Sequence, residues 1–390
     1  MKKSKNQNNT QGPKLYGHLE SIAPKYAKPK KKKPVFLFIV LAILLVFAGG
    51  LGFLKLWAKP PEPPPQVLNT PAFDGNPTPL PSDGEETPAP TEAPDKPDTN
   101  AGKYTFLVTG MDQVSKSTDV VLLVMFDTSN HKVNVISVPR DTLVNIPENV
   151  KKVNTLYAYG ESKSEGGGVP RMMDGIKDFV GFDMVNFVIV NLDAFEQLID
   201  AIGGVDYNVP RSMYYYDGTQ GLKISIDAGM QHLNGKEALK VVRYRKGYAN
   251  ADIGRIGTQQ DFMKTVANQI LSAKNIPNMP EIIRIITENT ETNLTAANIT
   301  YFASQLLKCS IDDINFYTLP ANTNNSVRGL SYVTVHVDEW IDMINEYLNP
   351  LDQPVTASNV NLLTKTEAGG FYSTTGQVAG GPGSFLNFKH

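Results

Sequence analysis

The chain alternates between short apolar runs and segments with helical spacing. Tyr104–Thr109 (YTFLVT), Asp119–Phe126 (DVVLLVMF) and Val133–Val138 (VNVISV) are apolar runs of strand length. Such continuous runs suit strands buried on both faces. Asp127-Thr128-Ser129-Asn130 separates the second run from the third and has the chemistry of a turn. Arg171–Val180 and Leu192–Ile202 carry apolar residues at helical intervals, with Phe187–Val190 as a strand between them. Gly203-Gly204 stops the second helix, and Val205–Val209 restarts a strand. Helices are predicted again over Lys236–Val242, Gly254–Ala273 and Thr295–Lys308, the last with Thr295 as N-cap. Asn315–Leu319 and Tyr332–Val335 read as strands, and Asp338–Leu348 as a closing amphipathic helix. Strands interleaved with helices predict an α/β or α/β/α layered domain over residues 103–350. The last forty residues, 351–390, are rich in Gly, Ser, Thr and Asn and read as a flexible tail.

Upstream of this domain the pattern changes twice. Val35–Leu54 is twenty residues without a charge, long enough to span a bilayer as a helix. Ten lysines and one acid, Glu20, precede it within residues 1–33. The run is long for a signal peptide, and Lys55 and Trp57 follow it in place of a small-residue cleavage site. Residues 34–57 therefore read as an uncleaved transmembrane helix. Lys28, Lys30, Lys31, Lys32 and Lys33 set the N-terminus inside, a single-pass type II topology with the rest outside the cell. Residues 58–102 hold thirteen of the 27 prolines and eight acids. That composition cannot bury enough apolar surface to fold and reads as a disordered Pro-rich linker.

Charge and composition then narrow the chemistry. A net charge of -2 excludes a generally basic nucleic-acid binder, and no DNA-binding module precedes the apolar run. One cysteine, Cys309, excludes a disulfide framework and a CxxC zinc site. The five histidines show no HxxxH spacing, and there is no GxSxG elbow. Gly166-Gly167-Gly168 lacks the Lys-Ser/Thr of a phosphate-binding loop and reads as a turn.

What remains is a selective use of arginine. The chain has 37 Lys+Arg, of which only eight are arginines. Four of these fall in Pro139-Arg140-Asp141, Arg243-Tyr244-Arg245 and Asp252-Ile253-Gly254-Arg255. Arginine is the forked, permanently charged partner of phosphate oxygens. Arg140 follows a strand, Arg243 and Arg245 close a helix, and Arg255 opens the next, with Gln259 four residues on along the same face. Together they point to a polyanion, a phosphate or diphosphate. Asp112 and Asp119 lie in one connection between strands. They suit either a turn or a Mg²⁺ site, which takes one or two protein carboxylates plus phosphate oxygens.

The strings ISVPRDTLVNIP, KKVNTLYAYG, LIDAIGGVDYNVP, AGMQHLNGKEALKVVRYR and DIGRIGTQQDF, in this order and spacing, resemble the LytR-CpsA-Psr family of Gram-positive cell-wall enzymes. The resemblance covers about Tyr104 to Pro350. It implies an α/β/α sandwich around a central mixed sheet, with an apolar pocket for a polyprenyl chain. It also implies a phosphotransferase that moves a glycopolymer, such as teichoic acid or capsule, from undecaprenyl diphosphate to peptidoglycan. The acceptor would be the C6 hydroxyl of N-acetylmuramic acid. By position, Asp112 and Asp119 would hold Mg²⁺ or Mn²⁺. Arg140, Arg243, Arg245, Arg255 and Gln259 would grip the diphosphate. Asp141 would orient Arg140, Lys152 and Asn154 would lie near the headgroup, and Asp252 would be a peripheral member. Ser117 and Thr258 stand where the family often has arginine. A polyprenyl diphosphate hydrolase using the same groups, and a non-catalytic surface or regulatory protein on a stalk, remain the alternatives.

Overall fold

The three apolar runs become the middle of one sheet, because each is wanted on both faces. The computed structural model describes residues 58–62, 67–71, 102–111, 116–218, 222–244, 251–327, 329–365 and 370–380, leaving aside the side chains of 217, 251–255, 273, 274, 276 and 324. Six strands form a mixed sheet in the order Ile314–Thr318, Lys132–Val138, Thr118–Asp127, Lys103–Met111, Asn186–Asn191, Thr290–Thr292. Lys103–Met111 runs parallel to Asn186–Asn191, Lys132–Val138 runs parallel to Ile314–Thr318, and the other neighbours are antiparallel. The expected hairpin is present: Asp127 Oδ1 accepts the backbone N–H groups of Ser129 and Asn130 at 3.0 and 2.9 Å.

The pleat sends alternate residues to two separate cores. Leu107, Leu123 and Ile136 stand side by side across the central strands. They pack against Met172, Ile176 and Phe179 of the helix Gly168–Val180, and against Trp340 and Ile344 of Val337–Tyr347. Phe106, Leu122 and Val135 face the other way, onto Phe302 of Ala296–Leu306 and Met263 of Ala251–Leu271. Helices thus cover both faces of the sheet. A third cluster forms where Val205–Val209 pairs with Gly229–Leu233 and Met213–Asp217 pairs with Leu222–Ile226. Its buried Tyr207, Met213 and Ile224 pack with Val241 and Phe262 from two helices.

Local signals set several boundaries. Thr295 caps its helix, its Oγ1 accepting the Asn298 N–H at 3.2 Å. Asn234 and Glu237 form a reciprocal capping box that starts Gly235–Arg243. Gly181, at φ +86°, ends Gly168–Val180 in the left-handed conformation that suits a residue without Cβ.

Three expectations are corrected. Residues 34–57 lie outside the described residues. Among the described residues no helix is long and apolar enough to cross a membrane. The longest, Ala251–Leu271, carries Asp252, Arg255, Asp261 and Lys264. The transmembrane helix, the single-pass topology and the extracytoplasmic location drawn from it are therefore not retained. The linker and tail also differ from expectation where they are described. Asn69 donates its backbone N–H to Gly181 O at 2.7 Å and its Nδ2 to Asp178 Oδ1 at 3.1 Å. Beyond Pro350, Leu351, Val355, Val360, Leu362 and Leu363 are buried, and Leu363–Lys365 pairs with Phe371–Ser373. Their apolar side chains are too sparse to show a period, yet each fills a place in a core made by distant elements.

Candidate functional site

The Pro139-Arg140-Asp141 motif leaves the end of Lys132–Val138 and turns back on itself. Val144 N–H donates to Lys151 O at 3.0 Å, Val153 N–H to Thr142 O at 2.9 Å and Asn154 N–H to Arg140 O at 3.2 Å. This narrow ladder lays Lys152 and Asn154 against Arg140 and Asp141, although they are more than ten residues apart in the chain. A second tie fixes it to the neighbouring strand Leu330–Val335: Leu143 N–H donates to Val333 O at 2.8 Å and Val333 N–H to Asp141 O at 3.0 Å.

The charged side chains then form a chain of contacts. Arg140 Nη1 lies 3.0 Å from Asp119 Oδ1, and Arg140 Nε lies 3.9 Å from Asp141 Oδ2. Asp141 Oδ1 accepts from Lys152 Nζ at 2.9 Å, and that ammonium sits 5.2 Å from the centre of the Tyr332 ring. Asn154 Nδ2 donates to Ser117 Oγ at 3.2 Å. All of these ions are partly sheltered, the Asp141 side chain being 18% exposed, so their pairing is less screened than on an open surface. Among the described residues, Arg140 Nε, Asn154 Oδ1 and Thr118 Oγ1 are buried atoms without a hydrogen-bond partner.

Beside this polar group opens an apolar cavity of about 300 Å³. Val108, Val120 and Leu122 of the sheet form one wall, Phe195 and Leu198 of Leu192–Ala201 another, and Val266, Ile282 and Ile286 close it. Asp119, Arg243, Gln259 and Thr109 are its polar lining. Asp119 and Gln259 also line a smaller adjoining cleft together with Arg140. Gln259 Nε2 donates to Val242 O at 3.0 Å, tying the helix that carries it to the end of the helix that carries Arg243.

Of the residues expected at one site, Asp119, Arg140, Arg243 and Gln259 line these two openings, while Asp141 and Lys152 join Arg140 through ion pairs and Asn154 through a backbone bond. Asp112 and Arg245, and the side chains of Asp252 and Arg255, lie outside what is described. The helix begins at Ala251, so Arg255 stands a full turn inside it and does not open it. Among the described residues no group of three or more His, Cys, Asp or Glu could hold a metal ion. Phe195 and Leu198 line the cavity, whereas Phe179 and Phe182, equally apolar in sequence, are core on the other face. Cys309 is buried, and burial pushes its thiol pKa up, as for a packed side chain and not a nucleophile. Sequence reasoning missed Tyr332 beneath Lys152, and Gln260. Gln260 Nε2 binds Ser137 Oγ, Tyr317 O and Thr318 Oγ1 at 3.0, 2.8 and 3.1 Å. Neither residue has a local signal, since each matters through a contact across the fold.

The α/β domain thus carries an apolar cavity whose lining includes carboxylate, guanidinium and amide groups. The chain matches the LytR_cpsA_psr family over residues 81–348 and belongs to that family. It is 30% identical over 177 residues to the polyisoprenyl-teichoic acid–peptidoglycan teichoic acid transferase TagV of Bacillus subtilis, covering 45% of this chain and 44% of TagV. It is 29% identical over 209 residues to the regulatory protein MsrR of Staphylococcus aureus, covering 52% and 60% respectively. The matches thus span less than two thirds of either relative. The crystal structure of B. subtilis TagV superposes with a TM-score of 0.51 at 22% identity, covering 62% of this chain and 94% of that one. That likeness is one of fold.

Proposed function

We propose that this protein is a glycopolymer phosphotransferase. It takes a glycopolymer from its undecaprenyl diphosphate carrier and passes it, together with the phosphate that bears the sugar, to peptidoglycan, at the C6 hydroxyl of N-acetylmuramic acid. The observation that carries the reading is the junction of the apolar cavity with Asp119, Arg243 and Gln259, and with Arg140 on the adjoining cleft. The cavity takes the apolar chain, and the polar end takes the diphosphate. Family membership supports a phosphotransferase-type activity.

In the reaction the acceptor oxygen attacks the phosphorus that bears the sugar. The P–O bond to the lipid phosphate breaks, lipid monophosphate leaves, and the hydroxyl proton passes to a base that the geometry does not single out. Charge spreads over the transferring group, so fixed cations placed beforehand do most of the work. Arg140 is the central one. Asp141 stands between Arg140 and Lys152 and ties the two cations together. Arg243 and Gln259 bind from the cavity side, with Arg245 and Arg255 as further cationic groups and Asp252 as a peripheral member of the set. Lys152 and Asn154 meet the headgroup. Mg²⁺ belongs to the same proposal: Asp119 and Asp112 would supply its carboxylates and phosphate oxygens the remainder. Bound there, the ion would neutralise charge on the diphosphate.

The test is a purified assay with lipid-linked donor and a glycan acceptor. Arg140→Ala should lower kcat about 10²–10³-fold with unchanged thermal unfolding. Normal ligation by that variant would remove the assignment. Release of free phosphorylated polymer without ligation would identify a hydrolase instead.

A further inference from the structure

The hairpin that carries Arg140 at its base has a tip at residues 144–151, and that tip is held from outside. Asn145 is 8% exposed. Its Nδ2 lies 2.6 Å from Asn361 Oδ1, 3.1 Å from Ser373 Oγ and 2.8 Å from Gln377 O, and its Oδ1 accepts the Ala379 N–H at 2.9 Å. Lys151, fully buried, donates its Nζ to Ala379 O at 2.9 Å and also to Ile146 O across the tip. Two side chains of one hairpin therefore grip Asn361, Ser373, Gln377 and Ala379, within residues 361–365 and 370–379. These segments lie beyond residue 348, where the family match ends. The first is itself anchored to the body of the fold. Asn361 Nδ2 donates to Asp178 Oδ2 at 3.2 Å, Thr364 Oγ1 donates to Val335 O at 2.6 Å, and Leu362 and Leu363 are buried.

We infer that residues 361–365 and 370–379 act as a clasp that positions the catalytic hairpin through Asn145 and Lys151. The lever is short. Lys151 precedes Lys152, whose Nζ holds Asp141 at 2.9 Å, and Lys151 O accepts the Val144 N–H that closes the ladder. A tip free to swing would let the base open, since the ladder has three backbone bonds from Val144 to Asn154. Buried amides with several partners fix one arrangement and leave few alternatives. Asn145 and Lys151 line neither of the two openings; they act through Arg140 and Lys152. The inference rests on the reading of Arg140 as a diphosphate-binding group.

The experiment uses the full chain and inorganic pyrophosphate as the probe, with affinity measured by calorimetry. Asn145→Ala and Ser373→Ala are each made with Arg140 intact and with Arg140→Ala. A positioning role predicts about a tenfold loss of affinity for Asn145→Ala when Arg140 is present, a smaller loss for Ser373→Ala, and no further loss in the Arg140→Ala background. Equal losses in both backgrounds, or native affinity in a folded Asn145→Ala, would overturn it. Amide hydrogen exchange over residues 140–154 is followed in parallel. If the unaltered chain fails to bind pyrophosphate, the site reading fails. The clasp is then judged by exchange alone: faster exchange at Val144, Val153 and Asn154 in both clasp variants upholds it, and native rates refute it. Should Asn145→Ala not fold, Ser373→Ala carries the same comparison.

Discussion

Lys151 is the residue whose environment departs furthest from its chemistry. It is a lysine in sequence and a core group in the fold, fully buried and paired with backbone carbonyls. Burial pulls its pKa down from 10.5 to about 8, with Glu148 acting weakly the other way. The unfolded chain, where the amine keeps its ordinary pKa, then binds more protons than the folded chain between about pH 8 and 10.5. Below pH 8 the charged amine costs the folded state its full penalty, and stability rises as pH climbs through that window. The difference corresponds to on the order of 3 kcal/mol. Urea unfolding at pH 7.5 and pH 9.5 should show a higher midpoint at the upper pH. In Lys151→Met the rise should disappear; a rise of equal size in that variant would assign it to another group.

Between elements, a close constraint lies where Gly235–Arg243 meets Leu192–Ala201. Gly235 N–H donates to Asp200 Oδ1 at 2.7 Å, and a Cβ on Gly235 would come within 2.2 Å of Glu196 O. That oxygen is backbone and cannot rotate away. Both helices line the apolar cavity, through Phe195 and Leu198 on one and Leu239, Val242 and Arg243 on the other. Gly235→Ala should therefore cost about 1–3 kcal/mol by forcing the helices apart. It should also weaken binding of a prenyl diphosphate more than binding of inorganic pyrophosphate. Denaturation together with the two affinities checks this, and an equal change in both affinities would uncouple the helix pair from the cavity.

At the scale of the whole molecule, the sheet divides labour between its faces. One face is filled by Met172, Phe179 and Trp340, and the other leaves a cavity of about 300 Å³ beneath its helices. The proposed binding of a lipid chain rests on an apolar cavity of this size lying next to partly buried charges. Leu198→Trp should fill part of it. The expected outcome is weaker binding of geranylgeranyl diphosphate with little change for a short prenyl diphosphate, read by competition at fixed pH. Equal binding of both by the variant would show that the chain lies elsewhere.

The order of elements was legible in the amino-acid sequence because it rests on local physics. Apolar runs such as DVVLLVMF made strands, Asp127 to Asn130 made a turn, and Thr295 capped a helix. The concentration of arginine in three short motifs marked Arg140 and Arg243 without any structure. Tertiary structure alone decided which apolar residues became cavity and which became core. Phe195 and Phe179 look alike in sequence, and only their position relative to the sheet separates them. It also decided that Lys151 is buried, that Tyr332 lies under Lys152, and that residues after Pro350 reach back to Asn145. Periodicity reports the neighbours along the chain, whereas burial and hydrogen bonding depend on groups that folding brings from more than two hundred residues away.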